Sequence, residues 1–155
     1  MKHIYNRARQ CKLIAELSPC LRAKHGAVFI DPESKAILAD GYNGAPRGGK
    51  RLCGGYVCER DVKEIPSGER NELGCHHAEA NAICNAARLG VSLLNSALIV
   101  TGQPCLMCAK LIHHAGASVV YYKAKGYTTD IGVEYLKEHG IKTVSYTEEE
   151  LCRKS

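Results

Sequence analysis

Two short stretches of this sequence hold the residue types and spacings that do chemistry. The first is "QPCLMC", which sets Cys105 and Cys108 three apart, on one face of a helix. Pro104 favours a helix start there, and thiolates at a helix N-terminus are stabilised by its unpaired amides. Such a pair suits zinc at the end of a strand. A thioredoxin-like redox pair also sits between strand and helix, so C-x-x-C alone leaves both open. The second stretch is "GCHHAEANAIC", residues 74–84. A catalytic zinc needs three protein ligands and one open position for water. Cys105 and Cys108 supply two, and His77, at the start of another helix, fits as the third. Glu79 lies two residues on. Positions two apart do not share a helix face. His77 is therefore expected at the helix edge, pointing into a pocket. Glu79 is expected in the first turn, beside the metal's water and without ligating the metal.

Chance separates the two signals. A random H-x-E is expected roughly 0.5 times in a chain of this composition, and P-C-x-x-C roughly 0.02 times. Together, each at a helix start, they match the signature of zinc-dependent nucleobase deaminases. In that chemistry zinc brings the pKa of its water towards ~7. The hydroxide attacks the amine-bearing ring carbon. Glu79 takes the water's proton, passes it to the ring nitrogen and helps protonate departing ammonia. A structural zinc or a redox pair has no use for that glutamate. His76 pairs with Ala78 in the same frame and reads as a hydrogen-bonded spectator. His113 and His114 read as surface or helix-end residues.

The elements that must position these groups follow from periodicity. Residues 3–18 carry apolar side chains at helix spacing, and Pro19 stops them. "GAVFI" (26–30) and "KAILADGY" (35–42) flank the turn signal "DPES" and read as a β-hairpin. From Gly44 to Gly74 no period holds; that segment is rich in glycine and charge, and so long a loop inside a compact domain tends to be functional. A helix over 78–89 closed by Gly90, a strand over 96–101, a helix over 106–115, a strand over 118–123, a helix over 131–139 and a strand over 141–146 complete the chain. Strand–helix–strand repetition predicts parallel pairing with right-handed crossovers. The reading is one three-layer α/β domain over 1–155, with a cysteine-bearing insertion at about 44–75.

Composition bounds the setting. The 155 residues suit one domain with a real core, and no apolar run is long enough to span a membrane. The basic N-terminus lacks the apolar stretch and cleavage site of a secretory signal, so a cytoplasmic location is the expectation. The net charge of +5 is spread over scattered basic residues. That is read as a solvated surface first and as a footprint for an anionic partner second. Nine cysteines, an odd number without a signal peptide, argue against a disulfide framework. Cys11, Cys84 and Cys152 read as apolar fillers or surface thiols.

The chain resembles the deoxycytidylate (dCMP) deaminases of the cytidine deaminase superfamily from about Ile4 to Tyr146. The resemblance is carried by "HAEANAI", "PCLMCAKLI", "GAVFID", "GYNGAPRGG", "IPSGER" and "AGASVVYY". It implies a three-layer α-β-α cytidine deaminase-like domain with a mixed sheet of about five strands, and hydrolysis of dCMP to dUMP and ammonia. It implies that Asn43 of "GYNG" contacts the nucleotide, although Asn-Gly is also a common turn pair. Ala78 is a further substrate-binding candidate. Lys123, Lys125 and Tyr127 of "KAKGYTTD" are candidates at the phosphate. Family members can carry a second, structural zinc at positions like Cys20 and Cys53. Here Cys58 and Cys75 would complete the set, with His76 as a substitute for one. The resemblance permits a homo-oligomer, hexamer or dimer, and dCTP or dTTP as effectors. A deaminase acting on another base or on tRNA is the second reading, although a nucleic-acid partner is not expected. A zinc-bearing nucleic-acid-binding or redox protein is the third.

Overall fold

A computed structural model describes residues 2–45, 58–66, 74–124 and 129–153. The element order is α1 (Lys2–Glu16), β1 (Gly26–Ile30), β2 (Ile37–Tyr42), α2 (Glu59–Val62), α3 (Ala78–Leu89), β3 (Ala97–Val100), α4 (Leu106–His114), β4 (Val119–Lys123), α5 (Ile131–Glu138), β5 (Lys142–Tyr146) and α6 (Glu148–Arg153). The strands form one five-stranded sheet in the order β2-β1-β3-β4-β5. β1 runs antiparallel to both β2 and β3, whereas β3, β4 and β5 are parallel. The sheet is therefore mixed, as the resemblance implies. The parallel half is the strand–helix–strand run expected from periodicity.

Alternation along the central strands sorts the helices into two layers. Ala27, Phe29, Leu98, Val100 and Val120 point to one face and pack with Ala78, Ala82 and Ala86 of α3, Ala109 and Ile112 of α4 and Leu136 of α5. Val28, Ile30, Ala97 and Ile99 point to the other face and meet Tyr5, Ala8 and Cys11 of α1 and Leu151 of α6. Phe29, Ile30, Leu98 and Ile99 are fully buried. Side chains of that size contribute about 1.5–3 kcal/mol each by leaving water. Because β1 and β3 are covered on both faces, they read in the sequence as unbroken apolar runs.

Small residues let α3 approach the sheet closely. A Cβ on Gly41 would fall 2.5 Å from the Ala82 nitrogen and 2.6 Å from the Ala78 oxygen. The alanines of α3 complete that close packing, and Gly90, left-handed at φ 68°, ends the helix. Two helices depart from the sequence expectation. α2 interrupts the stretch read as irregular, and α6 follows the last strand where no element was expected. Among the described residues, no helix is long and apolar enough to cross a membrane.

Candidate active site

The geometry of the sheet brings one set of ends together. The N-terminal end of β1 shares an edge with the C-terminal ends of β2, β3 and β4. The starts of α3 and α4 belong to the same region, since Gly44, just after β2, bridges to His76, and Thr101 to Pro104 lead from β3 into α4. In α/β sheets the carboxyl ends of parallel strands are where ligands bind.

His77 is the N-cap of α3, extended at φ −72° and ψ 155°, so its side chain leaves the helix at the edge. Cys105 is the N-cap of α4, and its Sγ accepts from the backbone N–H of Cys108 at 3.5 Å. His77 Nδ1 lies 3.4 Å from Cys105 Sγ and 3.5 Å from Cys108 Sγ. The three ligand atoms all fall within 4.8 Å of one another, the one such group of three potential metal ligands among the described residues. An imidazole nitrogen and two sulfurs are the donors that zinc selects. Glu79 stands outside this group and is buried in the first turn of α3.

The electrostatics tie the four side chains into one unit. Burial pushes the Glu79 carboxyl up, against the pull of His77 and a hydrogen bond from Cys108. Cys105 is brought down to about 4, chiefly by the hydrogen bond that the Cys108 thiol donates to it and also by its contact with His77. Cys108, donating that bond and buried, is held far above the ordinary thiol range. The bond to Cys105 raises His77. One thiolate, one thiol and an imidazole poised to share protons fit a site that a cation would complete. A bare redox dithiol does not account for His77 beside both sulfurs, nor for a buried carboxyl on the same cluster.

The other sequence candidates divide. Ala78 opens α3 and is buried beside Glu79. Asn43 is buried on the same edge, but its side chain already serves the backbone: Oδ1 accepts from the His25 N–H at 2.7 Å and Nδ2 donates to the Ala23 carbonyl at 2.9 Å. It shapes the rim, as the turn reading allowed. Lys123 is not free. Its ammonium pairs with Glu148 at 2.6 Å, and Lys12 pairs with the other Glu148 oxygen at 2.7 Å. Val120 packs on the α3 side, so Lys123, an odd number of residues along β4, projects to the α1 and α6 side instead. Lys125 and Tyr127 lie outside the described residues.

The cysteines proposed for a second metal are also divided. Cys20 and Cys58 are free thiols, Cys58 buried and Cys20 half-buried. Cys75 is disulfide-bonded, so its sulfur could serve as a metal donor only in the reduced chain. Cys53 lies outside the described residues. The segments around Cys20 and Cys58 are nevertheless tied together. Arg22 pairs with Asp61 at 3.1 Å and donates to the Ile65 carbonyl at 3.1 Å. The Cys20 sulfur accepts from the Ala23 N–H at 3.5 Å, the same local turn that Cys105 makes. Cys11 and Cys108 are buried, whereas Cys84 and Cys152 are exposed thiols. His113, half-buried at the end of α4, meets Tyr135 and His139 of α5 rather than the metal group.

Sequence reasoning missed His25. It immediately precedes β1, half-buried, opposite Gly102. The apolar run begins at residue 26, and nothing in the sequence alone places His25 on the active edge.

A family model for the cytidine and deoxycytidylate deaminase zinc-binding region matches residues 1–124. The deoxycytidylate deaminase of Mycobacterium phage D29 is 35% identical over 115 residues, covering 70% of this chain and 84% of that protein. A probable deoxycytidylate deaminase of Drosophila melanogaster is 35% identical over 131 residues, covering 74% of this chain and 61% of that one. The structure of a dCMP deaminase from the cyanophage S-TIM5, in complex with dCMP and dUMP, superposes with a TM-score of 0.75 at 30% identity, covering 91% of this chain and 94% of that one.

Proposed function

The chain belongs to the cytidine and deoxycytidylate deaminase family, and we propose that its reaction is the hydrolytic deamination of dCMP to dUMP and ammonia. One observation carries this reading: a His-Cys-Cys donor set at two helix starts, with a buried glutamate beside it that is not part of the set. His77, Cys105 and Cys108 would hold the zinc. When bound, zinc supplies a strong nucleophile from water at neutral pH.

The chain's own residues do the rest. Glu79, pushed up by burial, is the base that accepts the water's first proton and the acid that gives it to the ring nitrogen; it then takes the second proton, released as the new carbonyl forms, and gives that one to the leaving amine. Its anchorage in the first turn of α3 fixes the carboxyl without spending it on the metal. The N–H of Ala78 is one of the helix-start amides without an intrahelical acceptor, a donor for the ring carbonyl of the substrate. Asn43 holds the rim between Ala23 and His25 and keeps one N–H for the nucleotide. The 5′-phosphate falls to the loop after β4, with Lys125 and Tyr127 as its candidates. Lys123, held by Glu148, contributes charge there rather than contact.

Ammonia release from dCMP, deoxycytidine, adenine nucleotides and a tRNA anticodon stem tests this reading. dCMP turned over well above deoxycytidine is the expected result. Equal rates on both move the chain to the nucleoside deaminases. Activity on tRNA with none on dCMP overturns the assignment.

A second, structural zinc belongs to the same proposal, held by Cys20, Cys53, Cys58 and Cys75 once Cys75 is reduced. By composition, a segment as rich in glycine and charge as 44–74 offers little apolar surface to bury, and a four-cysteine zinc contributes on the order of 10 kcal/mol. The Arg22 link between the segments of Cys20 and Cys58 supports it. Metal analysis of reduced, zinc-loaded protein is expected to find about two zinc per chain, with one lost in Cys53→Ser. A single zinc in both proteins removes the idea. We also read the chain as a cytoplasmic homo-oligomer open to dCTP and dTTP. Light scattering, and dCMP turnover with added effector, check those points.

A further inference from the structure

We propose that His25 is a substrate-contacting residue, its imidazole offering a ring nitrogen to an oxygen of the nucleotide beyond the base, on the phosphate or the sugar. The inference rests on the dCMP reading and assigns a residue within that site.

Three observations carry it. The first is topology. His25 precedes β1 at the edge where β2, β3 and β4 end. It shares parity with Ala27 and Phe29, both of which pack on the α3 and α4 side. Its side chain therefore lies on the face that carries His77 and Cys105. The second is space. A Cβ on Gly102 would sit 3.2 Å from His25 Nδ1 and 3.3 Å from Cε1. The imidazole fills the volume that a side chain at 102 would take, directly ahead of "QPC". The third is bonding. The backbone of His25 is fully used, with its N–H donating to Asn43 Oδ1 at 2.7 Å and its carbonyl accepting from the Asn43 N–H at 3.1 Å. Among the described residues, no group hydrogen-bonds its ring nitrogens. The strand end is thus clamped by the rim asparagine, while the imidazole at the active edge has no ring partner among the described residues. A half-buried imidazole without a partner is costly unless something supplies one.

The charge around it agrees. Burial first, and then the fields of His77 and Lys123, favour the neutral ring. His25 thus lies within electrostatic reach of both His77 and Lys123, on the edge along which a nucleotide anchored by its amine-bearing carbon at the metal group would extend its sugar and phosphate. Lys123 itself turns to the opposite face. The nucleotide's outer oxygens therefore need a polar partner on the near face, and His25 is placed to be one.

The test uses the zinc-loaded full chain. His25→Leu removes the ring nitrogens, and His25→Gln retains a donor and an acceptor. Zinc content, thermal stability and dCMP kinetics are measured for each, together with inhibition by dUMP, deoxyuridine and 2′,3′-dideoxyuridine monophosphate. A hydrogen bond to a charged or hydroxyl oxygen is lost at roughly 10- to 100-fold. His25→Leu is expected to raise KM for dCMP, and the inhibition constant of dUMP, by that factor, with zinc content unchanged and with partial rescue in His25→Gln. Inhibition by the compound lacking the contacted oxygen should not weaken. An unaffected deoxyuridine assigns the phosphate, and an unaffected dideoxy compound assigns the 3′-hydroxyl. Equal weakening of all three inhibitors, or no change in any, overturns the proposal. If wild-type protein neither turns over dCMP nor is inhibited by dUMP, the dCMP reading itself has failed, a distinct result.

Discussion

Replacing Glu79 by glutamine separates the catalytic role of this residue from every structural one. The amide has nearly the volume of the carboxyl, and its oxygen still accepts from Cys108, so the start of α3 keeps its packing. The zinc ligands are untouched, because Glu79 lies outside the His77, Cys105 and Cys108 group. The ability to take and return a proton is lost. Removal of a general acid–base group costs 10²–10⁴ in rate. Turnover of dCMP is thus expected to fall at least ~100-fold, about 2.7 kcal/mol of transition-state stabilisation. The stability change has the opposite sign. Burial raises the folded pKa of Glu79 above its ordinary 4.5, so the carboxylate costs stability once pH passes that value, most fully above the folded pKa. Glutamine carries no such cost. Metal-free Glu79→Gln should therefore unfold at the same or a higher temperature than metal-free wild type at pH 7, with the gap closing as pH falls below about 4.5. Ammonia release, zinc content and thermal scans of the metal-free proteins test all three points. Turnover within tenfold of wild type refutes the mechanism, and zinc loss in the variant makes Glu79 a ligand.

Other outcomes follow from the same geometry. Zinc binding near neutral pH should release about one to two protons, because Cys105 already sits at about 4 while the Cys108 thiol, and His77 in part, still hold theirs. Calorimetry in buffers of different ionisation enthalpy measures this, and release of no proton contradicts the assigned states. Tyr146→Phe removes the buried bond from the phenol to the Val100 carbonyl at 2.7 Å. It should cost about 1 kcal/mol, a fall of roughly 2–4 °C in the melting temperature, with kcat/KM unchanged. Gly41→Ala drives a Cβ into the backbone of α3 at Ala78 and Ala82, so melting temperature and zinc affinity should fall together. Lost stability with intact zinc affinity would show that the start of α3 does not depend on that approach.

The metal group was legible because its spacing is local. Pro104, Cys105 and Cys108 lie within one helix start, and His77 with Glu79 within another, so each half is readable without the fold. The helix over 78–89 was equally clear, since its alanines and Gly90 are strong local signals. α6 was missed although its signal was present. In "TEEE" the Thr147 hydroxyl accepts from the Glu150 N–H, and the Glu150 carboxylate accepts from the Thr147 N–H, a capping box. Short and at the end of the chain, it read as a tail. α2 was missed because four helical residues amid glycine and charge carry no period.

Lys123 and His25 failed in the opposite direction, and for one reason. Both lie at strand ends on the active edge of the sheet. Which face each side chain takes depends on parity within its strand, and parity acquires meaning only once one member is seen in the core. Val120 packs toward α3, which sends Lys123 the other way to meet Glu148 between α1 and β4. Ala27 packs toward α3 as well, which brings His25 to the metal face. A one-residue offset thus turns to the other face a lysine that the family resemblance nominates for the phosphate. The same rule supplies a histidine that the sequence passes over. Charge type nominates a residue in the sequence, and strand alternation decides which face of the sheet its side chain takes.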